Sequence, residues 1–239
     1  MKKILITGAN QGIGFETAKQ LAALGHYVYL GSRNYSNGME AQKKLNDAGF
    51  RQVECIEIDV TDIQSVHSAK ELLESKTQGL DVLINNAGIA GEQPQNFSTG
   101  HIGNLRNIFE TNFFGAVQTT QMFLDLLKKS DAPRIINVSS PLGSLSLQSQ
   151  SSNPNFGGYD AYSASKTALN AFTVLLSKEL QETNFTVISV EPGYTATNLN
   201  QYQGTQTAEE AAGIIVKSAT DREMPTGKFF DRNGDELAW

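Results

Sequence analysis

Residues 7–14 read Thr7-Gly8-Ala9-Asn10-Gln11-Gly12-Ile13-Gly14, and this stretch decides the fold. It follows a short apolar run, Ile4–Thr7, and opens a segment of helical periodicity, Ile13–Leu24. Gly8 permits a tight turn, Gly12 lets the backbone approach a phosphate, and Gly14 lets a helix pack closely on a strand. Helix N-terminal amides attract phosphate charge. The residues predicted to form this phosphate-binding turn are Gly8, Asn10, Gln11, Gly12, Ile13 and Gly14.

Outward from this turn, short apolar runs alternate with longer segments of helical periodicity. Strands are predicted at Ile4–Thr7, Tyr27–Leu30, Val53–Ile58, Leu80–Ile84, Arg134–Val138, Thr186–Val190 and Gly227–Phe230. Helices are predicted at Ile13–Leu24, Gly38–Ala48, Asp62–Ser75, Asn104–Lys128, Tyr162–Glu182 and Ala208–Ala219. This alternation predicts an α/β fold, a single doubly wound, Rossmann-type parallel sheet flanked by helices on both faces. We expect one domain over residues 1–239, with ligands at the carboxyl ends of the strands.

The bulk composition excludes several classes of protein. A net charge of −6 over 239 residues argues against a nucleic-acid binder, which needs a basic face. Cys55 is the only cysteine, so intrachain disulfides and cysteine-based metal sites are excluded, and His26, His67 and His101 lack metal-ligand spacing. No apolar run is long enough for a signal peptide or a membrane span, so we expect a cytoplasmic protein without metal or membrane partner. The polar stretch Gly143–Gly158 is predicted to be a loop outside the core.

The end of the second predicted strand indicates which dinucleotide would bind. An NAD site usually has an acidic residue there, which binds the ribose 2′-hydroxyl. This chain instead has Ser32, Arg33 and Asn34. A guanidinium can pair with a 2′-phosphate, and the two neighbours can add hydrogen bonds. The sequence therefore favours NADP(H) over NAD.

Six motifs in this order resemble those of the short-chain dehydrogenases/reductases. They are residues 7–14, Asn85-Asn86-Ala87-Gly88, Asn112, Ser140, Tyr162-Ser163-Ala164-Ser165-Lys166 and Pro192-Gly193. The segment after Pro192 and the last residues, 227–239, resemble the carbonyl-reductase-like members more narrowly. Two features depart from the family: Gln11 stands where NADP-dependent members often have a basic residue, and the separation of Ser140 from Tyr162 exceeds that of the shortest members.

The resemblance also implies nucleotide contacts along the chain. Asp59 and Val60 would lie at the adenine, and Asn85 would support the sheet. The wall behind the adenosine ribose would be formed by Asn86, Ala87 and Gly88. The nicotinamide end would be held by Pro192, Gly193 and Thr195 or Thr197.

The chemistry implied is reduction of an aldehyde or ketone by NADPH, with Tyr162 as general acid. Lys166, one helical turn later, would lower the tyrosine pKa and bind the nicotinamide ribose. Ser140 would hydrogen-bond the substrate oxygen, with Ser139 facing the other way because strand side chains alternate. Asn112 would bend its helix and anchor a water that links Lys166 to solvent.

Other functions stay open at this point. An NADP-binding sensor without catalysis is one, a sugar-nucleotide epimerase or dehydratase a second, and a β-ketoacyl thioester reductase a third. The expected partner is a small carbonyl or alcohol substrate. Its pocket would be lined by the region after Ala90, Leu142–Gly158 and Tyr194–Thr205, with Phe156, Tyr194 and Tyr202 as aromatic walls. A homodimer or homotetramer is expected, with a monomer as the alternative.

Overall fold

The computed structural model describes residues 1–150 and 158–239. The strands are β1 Lys3–Ile6, β2 Tyr27–Ser32, β3 Val53–Glu57, β4 Val82–Asn85, β5 Arg134–Val138, β6 Thr186–Val190 and β7 Lys228–Phe230. The helices are α1 Gly12–Ala23, α2 Tyr35–Asp47, α3 Ile63–Lys76, α4 Ile102–Phe109, α5 Gly115–Leu127, α6 Leu145–Gln148, α7 Asp160–Glu179 and α8 Ala208–Thr220. A π-helical turn, Glu110–Phe114, joins α4 to α5.

The seven strands form one sheet in the order β3-β2-β1-β4-β5-β6-β7, with every pair parallel. The order reverses between β1 and β4, and a doubly wound sheet binds ligands beside such a switch point. The predicted fold class is therefore confirmed. The loops that follow β1, β4, β5 and β6 all lie at the same edge of the sheet, because parallel strands end on one side.

Helices cover both faces of the sheet because the strand side chains alternate. Ile4 and Ile6 of β1 belong to a core with Leu21 of α1 and Ile214 of α8. Leu5 lies between them in sequence and packs in a second core on the opposite face, with residues of α3, α5 and α7. Side chains on both faces of β1, β2, β4, β5 and β6 are buried, as expected for a parallel sheet covered by helices, and Phe229 and Phe230 of β7 are buried as well.

Several helix boundaries differ from the prediction. Helix α2 begins at Tyr35 rather than Gly38, because the side chain of Asn34 accepts a hydrogen bond from Asn37 N and caps the helix. The helix before β5 begins at Ile102, where the His101 side chain accepts from Gly103 N. Helix α7 runs two residues earlier at its start and ends at Glu179.

The prediction of a loop outside the core at Gly143–Gly158 is partly wrong. Residues 145–148 form helix α6, which is capped by the Ser144 side chain. Ser144 is fully buried and its Oγ donates to the carbonyl of Ala238, 2.7 Å away. A polar residue can be buried here because the chain's last residues supply the acceptor. Residues 151–157 of this stretch lie outside the described part of the chain.

Two smaller expectations also have outcomes. Cys55 is buried at 6% exposure, as expected, and packs against Gly38 of α2. No helix among residues 1–150 and 158–239 is both long and apolar enough to cross a membrane.

Candidate active site

The predicted phosphate-binding turn joins β1 to α1 in a conformation that only glycine adopts easily. Gly8 and Gly12 have φ values of +62° and +58°. A Cβ at Gly8 would lie 2.9 Å from the Cα of Ala87, and one at Gly14 would lie 2.7 Å from the Gly8 carbonyl oxygen. Gly14 therefore lets α1 pack directly against the turn, which is the role that the sequence predicts for it.

The segment after β4 locks this turn in place. The Asn86 side chain donates to the carbonyl oxygens of Thr7 and Gly8, at 2.8 and 3.0 Å. The Thr7 hydroxyl accepts from the backbone nitrogens of Asn86 and Ala87. The predicted contact of residues 86–88 with the nucleotide stays a prediction, but Asn86 has a direct structural role here.

The turn fits a dinucleotide phosphate. Within the described residues, no side chain caps the start of α1, and its first turn carries no acidic residue. Its first amides are therefore available for an anion, and the helix dipole favours one there. Gly12 faces Thr197, whose Cγ2 would lie 3.4 Å from a Cβ at Gly12, and the Asn198 side chain donates to that of Gln11. Thr197 thus adjoins the phosphate turn, and the predicted contact of Thr195 or Thr197 with the nicotinamide end stays a prediction.

The turn after β2 presents Arg33 to solvent. Ser32 is buried and its hydroxyl donates to the Asn34 carbonyl, while the Asn34 side chain caps α2. Both flanking polar groups are thus engaged in shaping the turn. Arg33 itself is exposed and forms no ion pair with a carboxylate in the described parts of the chain.

The predicted adenine-side residues lie at the end of β3. The Asp59 carboxylate accepts from the backbone nitrogen and the hydroxyl of Thr61, at 2.9 and 2.8 Å. Val60 is buried, its carbonyl accepts from the Gln118 side chain, and Gly115 packs on its side chain. The predicted contacts of Asp59 and Val60 with the adenine stay predictions.

Tyr162 and Lys166 lie one turn apart on α7, at the carboxyl edge of the sheet. Lys166 is 4% exposed, and its Nζ donates to the carbonyl oxygen of Val138, at 2.7 Å. The same Nζ lies 5.7 Å from the centre of the Tyr162 ring. A Cβ at Gly88 would lie 3.6 Å from Nζ, so the loop after β4 passes directly over the lysine.

The pKa of Tyr162 lies above its ordinary value, whereas the sequence predicted that Lys166 lowers it. Burial raises the pKa of Tyr162 to about 12, and hydrogen bonding with Ser140 opposes this rise only in part. Burial also lowers the pKa of Lys166 to about 8. Desolvation dominates because Lys166 is buried and Tyr162 is half-buried beside the end of β5, and the ammonium hydrogen-bonds a backbone carbonyl instead of the phenol.

The side chains of Ser140 and Ser139 point in different directions, as strand alternation predicts. Ser139 is buried, and its hydroxyl has no hydrogen-bond partner among the described residues. The Ser140 side chain interacts with the Tyr162 phenol and accepts from Leu142 N. Ser140 is thus the serine on the side of the tyrosine.

Asn112 occupies the π-helical turn between α4 and α5 and is 1% exposed. Its Oδ1 accepts from Ile89 N at 2.8 Å, and its Nδ2 donates to Ile89 O and Ser165 Oγ, both at 3.0 Å. A π-helical turn is a local widening of the helix that often marks functional sites. The predicted bend therefore coincides with Asn112, and the predicted water relay stays a prediction.

The segment after β6 is held by residues that sequence reasoning missed. The Glu191 carboxylate, which is buried, accepts from Gly193 N at 2.8 Å and from Arg232 N. The Gln206 side chain donates to the Pro192 carbonyl and the Thr195 hydroxyl. Burial raises the Glu191 pKa, and the two amides oppose this rise. The motif contains Pro192, Gly193 and Thr195, but its conformation depends on these neighbours.

Two further residues of the site went unpredicted. Ser165 links Asn112 to the carbonyl of Tyr162, to which its hydroxyl donates at 2.7 Å. It lies inside the recognised motif, so its position gave a signal. Gln95 is fully buried and accepts from Tyr162 N. An isolated glutamine in a loop gives no signal in a single sequence.

Asn85 supports the sheet as expected. Its Nδ2 donates to Asn137 Oδ1 and Thr120 Oγ1, and Asn137 donates onward to Thr173. Thr173 shares a hydrogen bond with Ser189 of β6. This buried polar network joins three strands to α5 and α7 beneath the carboxyl edge of the sheet.

Comparison with known proteins points to one family. Residues 2–208 match the profile of the family described as short chain dehydrogenase. A short-chain dehydrogenase of Penicillium roqueforti is 35% identical over 224 residues, which cover 91% of this chain and 88% of the relative. Salutaridine reductase of Papaver bracteatum is 30% identical, with coverage of 97% and 94%.

A solved structure extends the likeness to three dimensions. The NADPH-bound carbonyl reductase from chicken fatty liver superposes with a TM-score of 0.87 at 26% identity. The match covers all of this chain and 99% of that one. The two chains therefore share one architecture from end to end.

Proposed function

Since the chain belongs to the short-chain dehydrogenase family, we propose that it reduces an aldehyde or ketone to an alcohol with NADPH, with Tyr162 as the general acid. One observation carries the proposal: Ser140 and Lys166 both lie beside Tyr162, at the sheet edge that also holds the glycine turn. Each of these residues alone is common on a protein surface. Their convergence at the ligand-binding edge of a parallel sheet supports a catalytic role.

Each residue has a distinct part in the proposed chemistry. When bound, NADPH supplies the hydride that the carbonyl carbon receives. Ser140 donates a hydrogen bond that orients the carbonyl oxygen, and Tyr162 transfers its phenolic proton to that oxygen. Lys166 stabilises the tyrosinate that results, and Tyr162 then regains its phenolic proton from solvent. Asn112 holds the loop and the start of α7 around these groups.

The proposed reduction needs Tyr162 in its protonated form. At neutral pH a phenol with a pKa near 12 is fully protonated, so the acid needed for reduction is present in every molecule. The tyrosinate needed for alcohol oxidation is scarce. Oxidation would therefore depend on the positive charges of Lys166 and of the oxidised nicotinamide to lower this pKa.

Several observations support NADP(H) as the cofactor. Arg33 is exposed at the end of β2, no acidic residue follows that strand, and α1 leaves its first amides free. A relative named salutaridine reductase and a neighbour described as an NADPH-bound carbonyl reductase agree with a reductive, NADPH-linked activity. One folded unit over residues 1–239 would hold both the nucleotide and the substrate.

The test is a turnover assay with a panel of aldehydes, ketones and β-ketoacyl thioesters, run with NADPH and with NADH. We expect oxidation of NADPH by at least one free aldehyde or ketone, and slower turnover with NADH. Nucleotide binding without turnover of any compound would favour a sensor protein. Turnover of carrier-linked thioesters alone would favour a β-ketoacyl reductase. Light scattering of the same sample would measure the predicted dimer or tetramer.

A further inference from the structure

The loop after β4, residues 89–95, is clamped by amide side chains. Asn112 bonds both backbone groups of Ile89, as described above. Asn104, two turns earlier on the same helical surface, accepts from Glu92 N at 3.1 Å and donates to Glu92 O at 2.6 Å. Ile108 lies between them, where a Cβ at Gly91 would collide with it. The segment is therefore fixed along the length of α4 and the π-helical turn.

Gln95 connects this segment to the backbone of the proposed acid. Its side chain is fully buried; Oε1 accepts from Tyr162 N at 3.0 Å, and Nε2 donates to Ala90 O at 2.7 Å. Tyr162 is the third residue of α7, so its N–H has no acceptor within the helix. The residue before the helix, Tyr159, supplies no side-chain cap. Gln95 takes over that role from a distant part of the chain.

The carbonyl of Tyr162 is held from the other side. It accepts from Ser165 Oγ, which in turn accepts from Asn112, and Asn112 is bonded to Ile89. Ile89 and Ala90 are neighbours, so the two paths meet. The backbone of Tyr162 thus belongs to a closed ring of hydrogen bonds, and Gln95 forms one whole side of it.

We propose that Gln95 is a positioning residue for Tyr162, which fixes the start of α7 so that the phenol meets the substrate oxygen at the required distance. This inference rests on the proposed reductase function. A general acid must lie within hydrogen-bond reach of the oxygen it protonates. A displacement of about 1 Å in such a group can lower the rate about a hundredfold. Gln95 contacts only backbone groups and does not touch the reacting atoms.

The experiment compares Gln95→Met with Asn104→Leu. Both variants remove an amide that clamps the same loop, but only the first removes a bond to Tyr162. We expect Gln95→Met to lower kcat by about 10- to 100-fold with an NADPH Kd within about twofold of the wild type. Asn104→Leu should keep kcat within about threefold. Gln95→Glu retains the acceptor for Tyr162 N and, because a buried carboxyl favours its protonated form, also a donor for Ala90 O, so it should recover part of the loss.

A second readout does not depend on activity. Amide hydrogen exchange followed by NMR should show at least about tenfold less protection of Tyr162 N–H in Gln95→Met, and no change in Asn104→Leu. Wild-type turnover in the same assay tests the proposed function separately, because the exchange data stand even for an inactive protein. Wild-type kcat in folded Gln95→Met, unchanged exchange at Tyr162, or equal losses in both variants would overturn the inference.

Discussion

The ammonium nitrogen of Lys166 lies 5.7 Å from the centre of the Tyr162 ring while it donates to the Val138 carbonyl. Its charge is therefore held beside the phenol without neutralisation by a carboxylate in the described chain. Such an arrangement disfavours the charged lysine in the resting protein. It also keeps a positive charge ready for the moment when Tyr162 becomes negative.

This placement predicts that Lys166→Met is inactive but no less stable than the wild type at pH 7. Lys166 has a folded pKa of about 8 against an ordinary 10.5, so the unfolded chain binds more protons between these values. Stability then rises with pH across that window, and the full cost of burial, roughly 3 kcal/mol, is present below it. Loss of the bond to Val138 offsets part of this gain.

Urea unfolding without nucleotide, at several pH values from about 7 to about 9.5, checks this prediction. The stability advantage of Lys166→Met should shrink as the pH rises through 8, where the wild-type lysine loses its proton. A variant that is several kcal/mol less stable at pH 7, or a difference that is independent of pH, contradicts the account of a desolvated charge.

Gly14 and Gly213 give a matched pair of helix glycines. Gly14→Ala would place a Cβ 2.7 Å from the Gly8 carbonyl oxygen and 2.5 Å from Asn86 Nδ2, so the phosphate turn must move. We expect an NADPH Kd at least about tenfold higher and a lower free energy of unfolding. Gly213→Ala meets no atom within 4 Å on α8 and should raise stability by about 0.5–1 kcal/mol. Equal NADPH Kd values for the two variants, measured by fluorescence titration, would contradict the role assigned to Gly14.

Arg33→Ala should reverse the cofactor preference. If the guanidinium pairs with the 2′-phosphate, its loss should raise the KM for NADPH about 10- to 100-fold and leave that for NADH nearly unchanged. Arg51, an exposed arginine before β3 and therefore at the opposite edge of the sheet, offers the control variant Arg51→Ala. Initial-rate kinetics with NADPH and NADH test this prediction. An equal rise of both KM values would show that Arg33 does not determine the cofactor preference.

Thr173→Val should weaken the polar network beneath the active site. The substitution keeps the shape but leaves Asn137 Nδ2 and Ser189 Oγ without their partner in a fully buried position. We expect a loss of about 2–3 kcal/mol in the free energy of unfolding. Thr220→Val on α8 removes a hydroxyl that bonds only its own helix, and should cost less than about 0.5 kcal/mol. Similar losses for both threonines would mean that the network adds nothing.

The sequence was sufficient for the fold and for the edge of the sheet at which the candidate residues lie together. Periodic apolar runs predict the parallel sheet, and the glycines at 8, 12 and 14 mark a turn that positive φ and close packing require. Alternation of side chains just past the end of β5 separates Ser140 from Ser139. These features are local, so a single chain displays them.

The features that could not be predicted depend on contacts between distant segments. The burial of Ser144 needs the Ala238 carbonyl, and the capping of Tyr162 needs Gln95, which lies 67 residues earlier. The difference between the predicted and the observed direction of the Tyr162 pKa shift has the same origin. Helical spacing places Lys166 beside Tyr162, but only the structure shows the burial that makes desolvation dominant.

The central claim is that the Tyr162 phenol gives its proton to the carbonyl oxygen, and the kcat of Tyr162→Phe on the best carbonyl substrate tests it most directly. Phe keeps the ring and removes only the acid, while Tyr27→Phe, at the start of β2 and hydrogen-bonded to Glu54, serves as the control. We predict a kcat at least about 100-fold lower for Tyr162→Phe, with NADPH affinity retained, and a normal rate for Tyr27→Phe. A Tyr162→Phe protein that oxidises NADPH at the wild-type rate would contradict the mechanism.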